Sequence, residues 1–545
     1  MKKFLPICMA ALLCVFGIKA MAQMSYGGEP QSFKVTVSSV VPTIEVEALD
    51  VETLLAEDAS IEGKNHALRI GVTKDVMYTN TNSGRVDILP DGSKIWRLKF
   101  HMEGATFTSM NFSTFNIPNG AELFLYTPDR EYVIGKFTNK NIMEDGTFYP
   151  QELPGDEVIV EYYEPAGVAF NGQLAIDQIS QGYYDFFHIY EKDVEGGLGN
   201  AEGTCHPNAI CYDAQWHDQI QSVVCYTMTS GQYVYMCSGA MVNNTARDGK
   251  QYLLSANHCY EAGTWKFYFN YQATTCQGTN GSTLRTATGY TLRAKDDGNS
   301  SSDFMLVEIT GTINPAYNVF LAGWNNATTS PTNPTQCGAI HHPGGDIKKF
   351  SVPQNFSSYG KFWTANWAYE TGTTEQGSSG SPLFNKDKLI VGQLYAGTSS
   401  CVASDQSHQG PSGWDLYGKL SNSWTNNNSS NAKKLKPWLD PNNTGATTLQ
   451  GEYLNTVGMT NFTQVVDALN VYPNPNSGIM TVSGAFTEGE GVCRVYDILG
   501  NLVMDRNITL APEFTLNLNQ LTPGMYMLEI NGNDHTSRAK IIISK

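Results

Sequence analysis

Short runs in which apolar and polar residues alternate recur from residue 24 to the end of the chain, each closed by turn residues. Ile95 to Met102, Ala121 to Tyr126 and Val158 to Tyr163 are aromatic-rich runs, and Pro118-Asn119-Gly120, Pro128-Asp129 and Pro154-Gly155-Asp156 punctuate them. A period of two between Gly, Pro, Asn and Asp clusters predicts strands, so residues 24–192 read as a β-sandwich-like region. Residues 193–203 (DVEGGLGNAEG) predict a Gly-rich acidic linker. Strands are predicted again in 205–453, at Tyr233 to Val242, Gln251 to Ser255, Trp265 to Tyr271, Phe304 to Ile309 and Leu389 to Tyr395. One helix is predicted there, Ala432 to Leu439, because Leu435, Trp438 and Leu439 share a face. A polar segment, 454–468, leads to a last unit of about 80 residues. No repeat of 20–50 residues is present, and the fold class expected is all-β.

The first 22 residues break the pattern. Lys2 and Lys3 precede an apolar stretch from Phe4 to Ile18 and an Ala20-Met21-Ala22 cleavage site, which predicts a secretory signal peptide (1–22). That stretch is too short to span a bilayer, and no transmembrane anchor is expected. Leu13, where a lipobox needs a small residue, argues against lipidation of Cys14. Export changes the meaning of the cysteines: eight lie in 205–401 and none in 24–192. In an oxidising compartment these read as disulfides, and without C-x₂-C spacing no zinc site is expected.

Composition narrows the function further. The chain has 545 residues and a net charge of −17, which disfavours nucleic acid as a partner. Residues 24–192 carry most of that charge, with 12 Lys+Arg against 25 Asp+Glu.

Three segments carry candidate chemistry. Leu253-Leu254-Ser255-Ala256-Asn257-His258-Cys259 is a strand running into His-Cys. Ser302-Asp303-Phe304-Met305-Leu306-Val307-Glu308-Ile309 is an Asp opening an apolar strand. Glu375-Gln376-Gly377-Ser378-Ser379-Gly380-Ser381-Pro382-Leu383 is a Gly/Ser loop before another apolar run. Each alone has an ordinary explanation: a chance His-Cys, a strand cap, a flexible turn. Their order, His then Asp then Ser, resembles the trypsin-like (chymotrypsin-fold) serine peptidases, whose two β-barrels set the three residues at their junction. A Ser hydroxyl needs a base to take its proton during attack, and a carboxylate on the far ring nitrogen holds that base's tautomer. The resemblance therefore implies His258 as general base and then acid, Asp303 as orienting carboxylate, and Ser379 as nucleophile. The N–H groups of Gly377 and Ser379 are implied as the oxyanion hole, worth roughly 3–4 kcal/mol.

The resemblance extends through residues 200–450. Cys237-Ser238-Gly239-Ala240-Met241-Val242-Asn243-Asn244-Thr245, Phe269-Asn270-Tyr271-Gln272, Ala322-Gly323-Trp324, Ile340-His341-His342-Pro343, Gly392-Gln393-Leu394, Ser399-Ser400-Cys401 and Trp438-Leu439-Asp440-Pro441 resemble the bacterial lysyl endopeptidases. Residues 193–453 are thus expected to form a trypsin-like peptidase domain cleaving on the carboxyl side of Lys, behind a propeptide (23–192). Asp415, in Trp414-Asp415-Leu416-Tyr417-Gly418-Lys419, is implied at the pocket base; a trypsin-type pocket Asp would fall on Thr373. The family's His after Gly-Gln-Leu is here Tyr395, whose ring could still wall the site. His341 and His342 lack the Cys-flanked strand context and read as structural. Ser378 stands where trypsin has the carboxylate that receives a freed amino terminus, so activation by that ion pair is not expected. A cut near Lys192 would suit self-processing. Cys237–Cys259 would fix the His258 loop, a closure worth about 3 kcal/mol. The resemblance adds Cys205–Cys401 and Cys211–Cys276, leaving Cys225 and Cys337 as a possible fourth pair.

The last unit, 469–545, opens Val471-Tyr472-Pro473-Asn474-Pro475-Asn476-Ser477-Gly478 and contains Leu521-Thr522-Pro523-Gly524-Met525-Tyr526. It resembles the β-sandwich sorting domain of proteins exported by the type IX secretion system. Polypeptide substrates and that secretion machinery are the expected partners of a monomer that needs no cofactor. Two alternatives remain open at this point: trypsin-like cleavage of other or broader specificity, and a non-catalytic surface adhesin on the same fold.

Overall fold

In the computed structural model the described residues are 27–61, 65–143, 145–185, 205–299, 301–329, 331, 333–367, 371–399, 413–426, 428–454, 469–483, 489–497, 502–532 and 535–544. The predicted signal peptide, the predicted linker 193–203 and residues 455–468 of the second predicted linker lie outside them. The chain divides into two compact units, Met1–Gly458 and Met459–Lys545.

The alternating runs of the N-terminal region form strands β1 (Leu68–Thr79), β2 (Lys94–Met102), β3 (Phe107–Asn116), β4 (Glu122–Tyr126), β5 (Val133–Phe137), β6 (Glu157–Glu164) and β7 (Gln173–Gly182). One sheet runs β2-β6-β4-β5 and the other β1-β7-β3. Between them the inward residues meet in one core: Leu98 and Phe100 of β2, Phe112 and Phe115 of β3, Leu123 and Leu125 of β4, and Ile176 and Ile179 of β7. Two sheets sharing the apolar side of a period-two pattern make a sandwich.

This region does not stand apart from the next. Strands β8 (Val223–Ser230), β9 (Tyr233–Val242), β10 (Tyr252–Ala256), β11 (Thr264–Phe269), β12 (Tyr290–Asp296) and β13 (Phe304–Ile309) pair in the order β11-β8-β9-β10-β13-β12. They wrap a core that takes Tyr226, Met241, Leu253, Trp265, Phe267 and Val307. β1 pairs with β9, Val234 opposite Gly71 and Met236 opposite Leu68, so the first sandwich continues the barrel sheet. The outer face of the barrel strands is also apolar: Cys225, Val234, Met236 and Tyr268 pack on Leu68, Ile70 and Phe107. Strands apolar on both faces need cover on both sides, and the N-terminal region supplies it.

The second half contains β14 (Gly338–His341), β15 (Phe362–Trp367), β16 (Pro382–Phe384), β17 (Ile390–Gly397) and β18 (Trp414–Lys419). They pair in the order β14-β16-β17-β18-β15 around Trp363, Trp367, Leu383, Leu394 and Tyr417. A third core joins the halves, with Val242, Leu254, Phe304 and Leu306 meeting Trp324, Ile340, Phe350, Phe384 and Ile390. Two β-halves closed on each other by a shared apolar seam is the arrangement expected of the peptidase fold.

Two expectations need correction. The predicted helix 432–439 is only a short 3₁₀ turn, Asn431–Lys433, and one α-turn, Lys436–Leu439; Pro437 lacks the N–H that a continuous helix requires. A longer helix, Asp213–Ser222, was not anticipated; Trp216 and Ile220, four apart, are its buried apolar positions. The cysteines follow a similar course. Cys211–Cys276 and Cys237–Cys259 are formed. Cys205 is disulfide-bonded, while Cys401 lies outside the described residues. Cys225 and Cys337 are not joined; both are buried thiols. Cys225 faces the N-terminal region from β8, whereas Cys337 precedes β14 in the other half.

In the second unit, Asn470–Tyr472, Ile479–Ser483 and Glu513–Asn517 form one sheet, and four strands between Gly489 and Ile543 form another. Met480, Val482 and Leu516 of the first meet Val495, Leu528 and Ile541 of the second in one core, which is again a sandwich.

An ion pair crosses from the N-terminal region to the barrel. Lys266 Nζ donates to Glu152 Oε1 at 3.1 Å and to Ser109 Oγ at 2.6 Å, and Thr227 Oγ1 donates to the same Glu152 oxygen at 3.2 Å. Both side chains are essentially inaccessible to water. Removing one member of such a pair strands the other charge. Lys266→Met should lower the unfolding free energy of the full chain by about 3–5 kcal/mol in denaturant titrations. Glu152→Met together with Lys266→Met should recover most of that loss.

Candidate active site

β10 delivers His258 and β13 delivers Asp303. The two strands pair antiparallel, Ala256 opposite Phe304, so the residues just past one end and just before the other are neighbours. Asp303 has φ 56°, a left-handed conformation that Asp tolerates better than most residues. Its carboxylate then faces the His258 turn. Oδ2 accepts from His258 Nδ1 at 2.6 Å, and Oδ1 accepts from the His258 backbone N–H at 3.1 Å. Asn257 N–H donates to the Asp303 carbonyl at 3.0 Å. Gln393 Nε2, on β17, donates to the carbonyls of Ser302 at 2.8 Å and Asp303 at 3.3 Å, clamping this backbone from the opposite half.

These bonds set the protonation pattern. The Asp303 oxygen can only accept, so the proton sits on Nδ1 and Nε2 carries the lone pair. Nε2 is buried and makes no hydrogen bond among the described residues. Burial pushes the Asp303 carboxyl upward, opposed by its hydrogen bond to His258. Tyr395 walls the imidazole, its ring edge-to-face with His258 at 6.2 Å and stacked on Phe362 at 4.9 Å. Burial, and then the nearby Asp303 charge, raise the Tyr395 phenol.

The Gly/Ser loop lies between the halves. Two turns follow one another, Ser378 N–H to Glu375 O at 3.1 Å and Ser381 N–H to Ser378 O at 3.0 Å. Gly377 and Gly380 are their third residues, with φ of 84° and 80°. A Cβ on Gly377 would lie 2.8 Å from His342 O, and one on Gly380 would lie 2.5 Å from Ser238 O; positive φ and close backbone both demand glycine. Gly344 N–H donates to Gln376 O at 2.7 Å. In a trans peptide C=O and N–H point oppositely, so this bond turns the Gly377 N–H away from Gly344. Ser379 is buried, and its carbonyl accepts from Ser238 N–H at 2.9 Å. Gly380 packs on Ala256, two residues before His258. The structure therefore joins His258 to Asp303 directly and seats Ser379 at the same seam, while the Nε2 leg carries no hydrogen bond. Such legs are often open without substrate.

Asp415, on β18, is fully buried. Three neutral donors hold Oδ2: Trp367 Nε1 at 2.5 Å, Ser399 Oγ at 2.6 Å and Thr374 Oγ1 at 2.7 Å. They stabilise the charge without cancelling it. Opposite it on β17 is Gly397, where a Cβ would strike Asp415 Oδ1. Sequence reasoning gave Trp367, Thr374, Ser399 and Gly397 no role at Asp415, because no local motif links residues brought together from separate strands and loops.

His341 and His342 are buried. His342 donates from Nδ1 to the Asp346 carbonyl at 2.9 Å and stacks on Tyr271. Its pKa is lowered to about 3 by burial and by the positive charge of Lys348. From the N-terminal region, His66 Nε2 comes within 3.3 Å of Gln376 Nε2.

Residues 199–418 match the family model described as "Lysyl endopeptidase, C-terminal domain", and residues 470–544 match "Secretion system C-terminal sorting domain". A lysyl endopeptidase of Pseudomonas aeruginosa is 26% identical over 340 residues, covering 58% of this chain and 71% of that protein. Among solved structures, a serine endoprotease from Yersinia pestis overlays with a TM-score of 0.27 and 13% identity, over 61% of this chain and 97% of its own. A Glu endopeptidase overlays at 0.24 and 15%, over 37% and 85%. Overlays this loose define neither fold nor activity. Among the described residues no helix is long and apolar enough to cross a membrane.

The molecule is a serine endopeptidase that is secreted or held at the cell surface. Over residues 199–418 it is similar to the lysyl endopeptidase family, and over 470–544 to secretion-system sorting domains.

A histidine held neutral in the fold costs stability in acid. Unfolded, His342 takes up a proton below about pH 6.5; folded, it does so only near pH 3. Between those values the unfolded state binds the extra proton, so stability falls as pH falls, by up to about 1.4 kcal/mol per pH unit. His342→Asn should make the acid limb shallower by that one-proton slope in urea titrations run across pH 3 to 7.

Proposed function

We propose that the chain hydrolyses polypeptides on the carboxyl side of Lys through an acyl-enzyme. The observation that carries the reading is the His258–Asp303 pair, whose one unbonded ring nitrogen carries the lone pair and lies in the seam that also holds Ser379. His258 Nε2 takes the Ser379 proton as Oγ attacks the scissile carbonyl. The imidazolium that forms is stabilised by Asp303, and the oxyanion by the N–H groups of Gly377 and Ser379. His258 then gives its proton to the leaving amine. Water, deprotonated by the same nitrogen, releases the acyl group and restores Ser379.

Selectivity is assigned to Asp415. An incoming lysyl ammonium would pair with the buried Asp415 side chain, which a neutral side chain cannot do. Gly397 is proposed to leave β17 without a side chain beside that carboxylate. The Tyr395 ring replaces the histidine of the family prototype as the wall of the catalytic imidazole.

The proposed organisation is a signal peptide (1–22), a propeptide (23–192), a peptidase domain (193–453), a linker (454–468) and a type IX sorting domain (469–545). The tail match supports export by that machinery. The contact of His66 with Gln376 supports a propeptide that covers the site.

Labelling by an organophosphate should occur in the wild type and disappear in Ser379→Ala. On matched peptides, Lys should be cleaved in preference to Arg, and Asp415→Asn should lower kcat/KM for Lys by about 10³-fold or more. Equal cleavage of Lys, Arg and neutral residues by both proteins would instead mark a peptidase of broader specificity. Absence of labelling would leave only a binding protein.

A further inference from the structure

Behind the oxyanion turn lies a buried histidine cluster that takes no part in the chemistry above. His206 and Glu375, 169 residues apart, are joined by a 2.9 Å hydrogen bond from Nε2 to Oε1. The imidazole is 1% exposed and the carboxylate 12%. Glu375 is the first residue of the turn whose third is Gly377. Its carbonyl accepts from Ser378 N–H, and its own N–H donates to Ser378 Oγ at 3.2 Å.

The cluster continues through His341, and its hydrogen atoms can be assigned. Ser351 Oγ donates to Thr373 O at 2.9 Å, so it accepts from His341 Nε2, also at 2.9 Å. With that proton on Nε2, the neutral ring accepts at Nδ1 from Ser378 Oγ at 2.7 Å. The His206 and His341 rings meet edge to face at 6.2 Å. The turn is thus held from behind at residue 375 by His206 and at residue 378 by His341.

His206 follows Cys205 directly, at the head of the peptidase half. Ser378 offers no carboxylate to a newly cut amino terminus, yet the Gln376–Gly377 peptide still has to be held in one of the two orientations open to a turn centre. The reverse orientation would point a carbonyl where an oxyanion must sit.

We infer that His206 is a positioning residue for hydrolysis: by anchoring Glu375 it holds the oxyanion turn with the Gly377 N–H aimed at the substrate carbonyl, a task done from inside the chain and not by a freed amino terminus. The inference rests on the proposed roles of Ser379 and Gly377. An oxyanion donor is worth about 10²–10³ in kcat. Gly344, Ser238 and His341 also grip this turn, so loss of one anchor removes part of that factor.

The test uses the processed wild-type enzyme, with active sites counted by organophosphate titration. His206→Ala should lower kcat per titrated site by about 10- to 100-fold with KM within about twofold. Glu375→Ala should do the same, and the double variant should be no worse than either single one. His206→Gln, which offers an amide donor at the same reach, should restore most of the rate. Inhibition by a peptide aldehyde, whose hemiacetal oxygen uses the oxyanion donors, should weaken in step with kcat, while competition by a simple alkylamine should not change. If His206→Ala is unstable, His206→Phe keeps the ring volume without the donor and takes its place. A kcat per site within twofold of wild type in either variant would overturn the inference, as would equal weakening of aldehyde and amine. A wild-type protein that organophosphate does not label would instead sink the underlying reading.

Discussion

A single 2.6 Å hydrogen bond, from His258 Nδ1 to Asp303 Oδ2, sets what the rest of the peptidase half has to accomplish. It fixes which imidazole nitrogen holds the proton and therefore where a base can act. Such a bond needs two strand ends held to within a fraction of an ångström. The antiparallel register of β10 and β13 provides the coarse placement. The left-handed Asp303 turns the carboxylate inward, a conformation costing of order 1 kcal/mol that persists only where the surroundings over-determine it. Here they do: Asn257 N–H holds the Asp303 carbonyl, Gln393 grips it from the other half, and Cys237–Cys259 closes the loop behind. The geometry of this pair is thus a property of the seam between the halves and not of either half alone.

The Gly/Ser loop meets a second constraint, which is space. Backbone atoms of Ser238, His342 and Gly345 stand so near Gly377 and Gly380 that no side chain fits at either place. Glycine here buys closeness, and closeness lets main-chain groups do the holding: Gly344 N–H on Gln376 O, Ser238 N–H on Ser379 O, Ser238 Oγ on Gly377 O. The loop is thereby held by backbone and side-chain bonds from two neighbouring segments. This is what electrostatic stabilisation of a developing charge requires, since a donor that must reorganise during the reaction loses most of its value.

How much of this could be read from the sequence follows from the range of each interaction. Period-two runs specify strands locally, so Tyr233 to Val242 and Phe304 to Ile309 coincide with β9 and β13. The proposed triad of His258, Asp303 and Ser379 was read as an ordered set of short motifs, and the structure joins the first two directly. Residues that act only through strand pairing were not legible in this way. Gly397 faces Asp415 because β17 and β18 align in one register, and Trp367 and Thr374 reach it from other segments; nothing local marks them. Helix Asp213–Ser222 was missed because Trp216 and Ile220 are its only buried apolar residues, beside the buried polar Gln219, Gln221 and Ser222, too few for a periodic signal. The proposed Cys225–Cys337 pair failed for a related reason, since counting leftover cysteines ignores that Cys225 lies on β8 of one half and Cys337 precedes β14 of the other.

The join between the N-terminal region and the barrel combines two interactions that behave differently on separation. The apolar contact of Leu68, Ile70 and Phe107 with Val234, Met236 and Tyr268 would be lost to water at about 25 cal/mol for each Å² uncovered. The Glu152–Lys266 pair would regain hydration on both sides, which offsets much of the lost attraction. Adhesion therefore resides in the apolar face, whereas the pair governs alignment: a register slip would bury each charge without its partner, a state far costlier than either the docked or the separated one. A one-residue slip of β1 along β9 would also turn Leu68 and Ile70 away from the core they fill. Charge pairing and side-chain alternation consequently reject the same misalignments. That leaves a single way for the first sandwich to extend the barrel sheet, with His66, just before β1, reaching Gln376.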